Sequence, residues 1–299
     1  MPLVYNSTLK LKKTGNIRCL IMKGFLLFIL MFQYGCSNEN RDGDTGGNEI
    51  RRIVSLSPSI TRQIIDLGCA HMIAGVTSHQ PEVGNAEVVG AYIHPNFEKI
   101  LILKPDAVLC SDEDGAVQRT APLPGIRLIR FGRNSNFESL CDNYLKLAVI
   151  LNKKDVAEIK LREYSTMLAL SRRKFAKAPV MACFVSVKPL VTAGGLSFIG
   201  SIILDSGGRN AYHDAGAPFP IIALESLVAR NPDIIISLDA ENQEYFRKIL
   251  GGFTLKAVKN GSVHFIGPDN ISYFTPSDYV KSVGIITRII EKNRSHEKI

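Results

Sequence analysis

Several patterns that would announce chemistry are missing from the 299 residues. There is no CxxC pair and no cysteine–histidine spacing suited to zinc, which excludes a zinc module. No GxSxG turn occurs, and no Ser/His/Asp set stands out, so nothing marks a hydrolase. The glycine-rich AGGLSFIG lacks both the lysine of a phosphate loop and the spacing of a dinucleotide fingerprint, which excludes nucleotide binding. Basic patches interleaved with aromatics are absent too, so nucleic acid is not expected as a partner. The net charge of +8 does not contradict this. Residues 1–35 carry Lys10, Lys12, Lys13, Arg18 and Lys23 and no acid, so five of the eight charges sit there. The body of the chain is only mildly basic. At 45% hydrophobic it has enough apolar side chains for real cores, which excludes a disordered protein.

No apolar run reaches the roughly 20 residues that a membrane-spanning helix needs. The run Phe25–Phe32 is far shorter, follows Met22-Lys23 and ends near Gly35-Cys36. It fits the apolar core of a secretory signal. The stretch resembles a bacterial lipoprotein signal with Cys36 as the lipidated residue, although Gln33 stands where leucine is usual. Met22 is an alternative start. Cys19 falls in the removed segment. Cys69, Cys110, Cys141 and Cys183 are read as small buried hydrophobes. Residues 37–49 are polar and glycine-rich, as in a flexible tether.

What the sequence does contain is a repeat. FEKILILKPDAVLCSD and LESLVARNPDIIISLD align on Pro105-Asp106 and Pro232-Asp233. Glu98 then falls on Glu225, Leu101 on Val228, Val108 on Ile235 and Asp112 on Asp239. Phe97, Ile100, Leu101 and Leu103 have helical spacing, and Lys104-Pro105 ends the helix. AVLC and IIIS are wholly apolar runs suited to strands buried on both faces. Each copy is a helix, a turn and a buried strand, which predicts two similar α/β lobes. Between them, 137–177 contains no glycine or proline. Ala157, Leu161, Tyr164, Leu168 and Phe175 share one helical face. This predicts a helix of roughly 24 residues, about 36 Å long. Pro179 stops it.

Taken in order, RIVSLSPSITRQIIDLG, GAYIHPNFEKILILKPDAVL, the long helix, LVTAGGLSFIGSIILDSGGRNAY, ALESLVARNPDIII and AVKNGSVHFI resemble the class III solute-binding proteins of bacterial ABC importers. The likeness covers about 51–291 and is closest to the cobalamin-binding proteins. It implies two Rossmann-like lobes with parallel-rich central sheets, joined by a single long backbone α-helix, with the ligand cleft between them. The chain then divides into a signal segment (1–35), a tether (36–50), an N-terminal lobe (51–135), a linking helix (136–178) and a C-terminal lobe (179–299).

The resemblance also implies roles. Glu98 and Glu225 match the glutamates that dock the two lobes onto arginines of the permease. His79, Tyr92, Phe219 and Tyr273 match cleft positions. Tyr92 and Phe219 replace tryptophans, and this chain has none. A further aromatic position falls at Ser111, and Asp112-Glu113-Asp114 makes that rim acidic. The expected ligand is a corrinoid. Haem, a ferric siderophore or a metal ion is the alternative. His79 or His94 could ligate iron, and His79, His94, His213 and Asp278 are available to a metal ion on paper. The haem-ligand tyrosine of the family directly follows a glycine, whereas here Ala91 separates Gly90 from Tyr92. No catalytic residue, resident cofactor or structural metal is expected. The expected partners are an ABC permease with its ATPase, a small ligand, and a membrane reached through the lipid. The protein is expected as a monomer in the periplasm or at the cell surface. An enzyme or an adhesin on the same fold is the alternative of another class.

Overall fold

Both copies of the repeat fold as the sequence indicates. The computed structural model describes residues 49–78, 80, 83–112, 125–267, 271 and 274–296. In the first lobe the strands are β1 (Ile53–Ser55), β2 (Ile73–Val76), β3 (Glu87–Val88), β6 (Ala107–Ser111) and β7 (Arg127–Phe131). They form one parallel sheet in the order β3-β2-β1-β6-β7. Helix α1 (Pro58–Asp66) follows β1, and α2 (Phe97–Ile102) precedes β6. A small hairpin, β4 (Gly90–Ala91) with β5 (His94–Pro95), lies within the stretch read from sequence as loop.

The second lobe repeats the plan. Its sheet is β10 (Arg209–Asn210), β8 (Val180–Val187), β11 (Ile234–Ser237) and β12 (Val263–Phe265), all parallel. β9 (Leu190–Thr192) adds to β8 antiparallel. Helices α5 (Phe198–Asp205) and α6 (Leu224–Arg230) correspond to α1 and α2. Helices α7 (Gln243–Gly251), α8 (Lys256–Lys259) and α9 (Pro276–His296) complete it. Val108, Leu109, Ile235 and Ile236 are fully buried, as strands covered on both faces require.

The Pro-Asp pair has a structural task that the alignment did not disclose. Lys104 and Asn231, the residues before each proline, both adopt left-handed backbone, at φ 47° and 40°. The following proline disfavours the right-handed helical alternative. The turn aims each aspartate back at the start of its lobe's first strand. Asp106 Oδ2 accepts from Arg51 N and Arg52 N, each at 2.8 Å, and Asp233 Oδ2 accepts from Val180 N at 2.9 Å. The two backbone donors hold the Asp106 carboxyl below its ordinary value. A carboxylate with a depressed folded pKa stabilises the fold above its unfolded pKa and ceases to do so as pH falls through the folded one. Asp106→Ala is therefore expected to lower stability by about 1 kcal/mol at neutral pH, a solvent-screened figure. Urea denaturation of both proteins checks it: the gap should narrow below about pH 4, and a gap independent of pH would refute the account.

The linking segment departs from expectation in two respects. The helical pattern of 137–177 divides into α3 (Phe137–Ile150) and α4 (Lys154–Ser171), of 14 and 18 residues. Asn152, left-handed at φ 55°, makes the break. Helix α4 is shorter than the predicted 24 residues because the chain turns extended at Arg172. From there it crosses Gly207, where any Cβ would strike Arg173 O and the Phe175 ring. Phe175 still packs on the second core, from outside the helix.

Helix α4 remains the backbone between lobes. Ala157 joins the core of the first lobe, and Leu168 joins that of the second. Matching clusters tie each lobe to the linking segment. Asp66, closing α1, accepts from the Tyr144 hydroxyl and pairs with Lys160 at 3.1 Å. Asp205, closing α5, accepts from Tyr279 at 3.0 Å and pairs with Arg172 at 2.9 Å. Burial pushes both tyrosine hydroxyls up, and the adjacent carboxylate adds to it, so each stays a donor. Among the described residues Cys69, Cys110, Cys141 and Cys183 form no disulfide; Cys69, Cys110 and Cys183 are buried and Cys141 is half-buried.

Candidate functional site

Two cavities meet at Asn134, on the segment that passes from β7 to α3. The first, about 280 Å³, is lined by Ser57, Ser59, Gln63, Tyr92, Phe131 and Phe274 among others. The second, about 350 Å³, is lined by Arg133, Ser197, Phe198 and Phe219 among others. Asn134 borders both. Tyr92 and Phe219, chosen from sequence, thus sit in adjoining cavities on opposite lobes. A ligand touching both must span them.

Local backbone places each ring. Tyr92 occupies the two-residue turn of the β4–β5 hairpin. That hairpin needs Gly90 at φ 108°, where a Cβ would lie 2.9 Å from both Asn96 N and His94 O. Phe219 ends a loop that runs against Gly194 and Gly195. A Cβ at Gly194 would lie 2.4 Å from Ala217 O, and one at Gly195 2.3 Å from His213 O. The glycines of AGGLSFIG serve this close approach of two backbones. Ser197 caps α5, accepting from Gly200 N at 3.0 Å. Phe198 meets Phe219 edge-on, with centroids 6.2 Å apart.

The lobes also touch across the first cavity. Phe274, just before α9, presents its carbonyl to α1, where Gln63 Nε2 donates at 2.9 Å and Ser59 Oγ at 3.2 Å. The Arg62 guanidinium lies 4.7 Å over the Phe274 ring. The sequence reading passed over Gln63, Phe131, Asn134, Asn143 and Phe274. Of these, Asn134 and Asn143 have no periodic or motif signal at all. Ser111, which the family comparison singled out, does line the cavity.

Glu98 and Glu225 each take the second position of a helix, α2 and α6. Both are exposed. Among the described residues neither side chain forms an ion pair or hydrogen bond. His79, Tyr273 and Cys36 lie outside the described residues, as do Glu113 and Asp114. His94 is exposed on β5. Among the described residues no three His, Cys, Asp or Glu converge on one point.

Two parallel-sheet lobes, a backbone helix and an aromatic-walled cleft define a two-lobed solute-binding protein. The periplasmic binding protein family model matches residues 53–270, and the chain belongs to that family. Among curated proteins, the vitamin B12-binding protein of Vibrio vulnificus (strain YJ016) is 26% identical over 189 residues, covering 61% of this chain and 69% of that one. Two solved structures share the fold. The periplasmic vitamin B12 binding protein of Vibrio cholerae has a TM-score of 0.67 at 20% identity, covering 82% of this chain and 98% of its own. The apo periplasmic haem-binding protein of Roseiflexus sp. RS-1 has a TM-score of 0.68 at 20% identity, covering 82% and 99%. One fold therefore accompanies two different ligand names.

Proposed function

We propose that this chain is the substrate-capturing lipoprotein of an ABC importer, binding a corrinoid between its lobes and delivering it to a permease. The observation that carries the reading is the pair of aromatic-walled cavities meeting at Asn134. Flat rings on two sides suit a large, partly apolar macrocycle. Tyr92 and Phe219 are the walls, His79 and Tyr273 complete the rim, and Glu98 and Glu225 dock. Cys36 carries the lipid, with 1–35 as signal and 36–50 as tether. Among the described residues no helix is long and apolar enough to cross a membrane. The family and both structural neighbours favour binding over catalysis. The matched clusters at Asp66 and Asp205 support a small closure of the lobes about α4.

Visible-absorbance titration with cyanocobalamin and with haemin, run beside thermal unfolding, tests the reading. Sub-micromolar corrinoid binding with a rise in melting temperature is expected. A Soret shift with haemin alone would move the assignment to haem.

A further inference from the structure

The first cavity has an unusual wall. Among the described residues its lining includes no charged side chain, yet it is rich in hydroxyls and amides: Ser57, Ser59, Gln63, Ser111, Asn134 and Asn143. Four of these form one chain of hydrogen bonds. Asn143 Nδ2 donates to Asn134 Oδ1 at 2.7 Å, and Asn134 Nδ2 donates to Ser59 Oγ at 3.4 Å. Gln63 Nε2 donates to the same Ser59 Oγ at 3.1 Å.

Two of the amides have their orientation set by carbonyls. Gln63 Nε2 faces Phe274 O, and Asn143 Nδ2 faces Gly132 O at 2.8 Å. Only the NH2 end of an amide can donate to a carbonyl. Gln63 Oε1 and Asn143 Oδ1 are thereby turned away from those partners, and neither accepts a hydrogen bond among the described residues. Gln63 is 2% exposed, so its amide is held by packing. Nearby, the N-cap Ser57 of α1 makes no side-chain cap bond, which leaves first-turn N–H donors at the same wall.

The wall thus offers fixed acceptors beside donors. A primary amide satisfies both, giving N–H to the acceptors and taking a hydrogen bond on its carbonyl. A carboxylate can use only the donors. It would face Gln63 Oε1 and Asn143 Oδ1 as lone pair against lone pair, and among the described lining residues no cation offsets its desolvation. We infer that Gln63 and Asn143 are specificity-determining residues that select a ligand with primary carboxamides on its rim and disfavour one with carboxylates there. This rests on the proposed cleft-binding function and narrows it.

The experiment compares binding by the purified protein of cyanocobalamin, its separate monocarboxylic acids (one rim amide hydrolysed in each) and haemin, a dicarboxylate, at pH 7. At least one acid isomer is expected to bind about tenfold or more weakly than the parent. In Gln63→Met, parent affinity should fall about tenfold and the amide-to-acid ratio should collapse toward one. Thermal unfolding of that variant verifies its fold, and Asn143→Ala provides a second route to the same ratio. Equal binding of every acid isomer and the parent would overturn the amide site while leaving the cleft function standing. Haemin binding without corrinoid binding, or no binding of any of the three, would overturn the corrinoid reading and the amide site together.

Discussion

Replacing Glu98 and Glu225 together with arginine is expected to cut ligand uptake through the cognate permease about 100-fold or more while leaving ligand affinity unchanged. The two carboxylates occupy equivalent positions on α2 and α6, one per lobe, and both are exposed. Each sits in a first helical turn, where the helix dipole favours negative charge. Exposed apolar side chains lie within five residues of them in the chain: Ile93, Leu101 and Ile102 around Glu98, and Ile221 before Glu225. A charged pair with an apolar surround is what a permease presenting two arginines would engage. A charge-assisted contact contributes about 1.5–3 kcal/mol, so losing both and adding repulsion exceeds two decades in affinity. Uptake into proteoliposomes carrying the permease, beside ligand titration of the free protein, separates docking from capture. Undiminished uptake by the double variant would reduce both glutamates to ordinary first-turn residues.

The second large effect concerns the walls. Tyr92→Ala with Phe219→Ala is expected to weaken macrocycle binding about 100-fold, roughly tenfold from each ring. The rings line separate cavities, on different lobes, so their contributions should add. Tyr92→Phe keeps the ring and should cost little if stacking is the main contact. Equilibrium titration of the three variants decides the matter. A double variant within threefold of wild type would show that the ligand lies elsewhere. A large loss in Tyr92→Phe would instead assign the hydroxyl a ligating role.

Much of the architecture could be read before any coordinates, and the reason is local. Buried parallel strands must be continuous apolar runs, so AVLC and IIIS announce themselves, and the register of Glu98 with Glu225 follows from aligning two prolines. The helix break was harder. Asn152 turns left-handed in a stretch without glycine or proline, and α4 ends early at Arg172, after which the chain passes close against Gly207. The Pro-Asp pairs were visible as a repeat but not as staples, because Asp106 reaches its partners 54 and 55 residues away in the chain.

The candidate site divides the same way. Residue chemistry and order sufficed for the α/β class, the two lobes and the alignment of Glu98 with Glu225, whereas Tyr92 and Phe219 were singled out by the family resemblance. Folding alone brought Gln63, Asn134, Asn143 and the Phe274 carbonyl onto one wall, since they come from α1, the crossing segment, α3 and the approach to α9. Their separations along the chain obey no helical or strand period. Hydrogen bonds of about 3 Å between such residues exist only once both lobes have packed against α3 and α4. Local periodicity records which face of an element is buried; which polar groups then converge is decided by how distant elements pack.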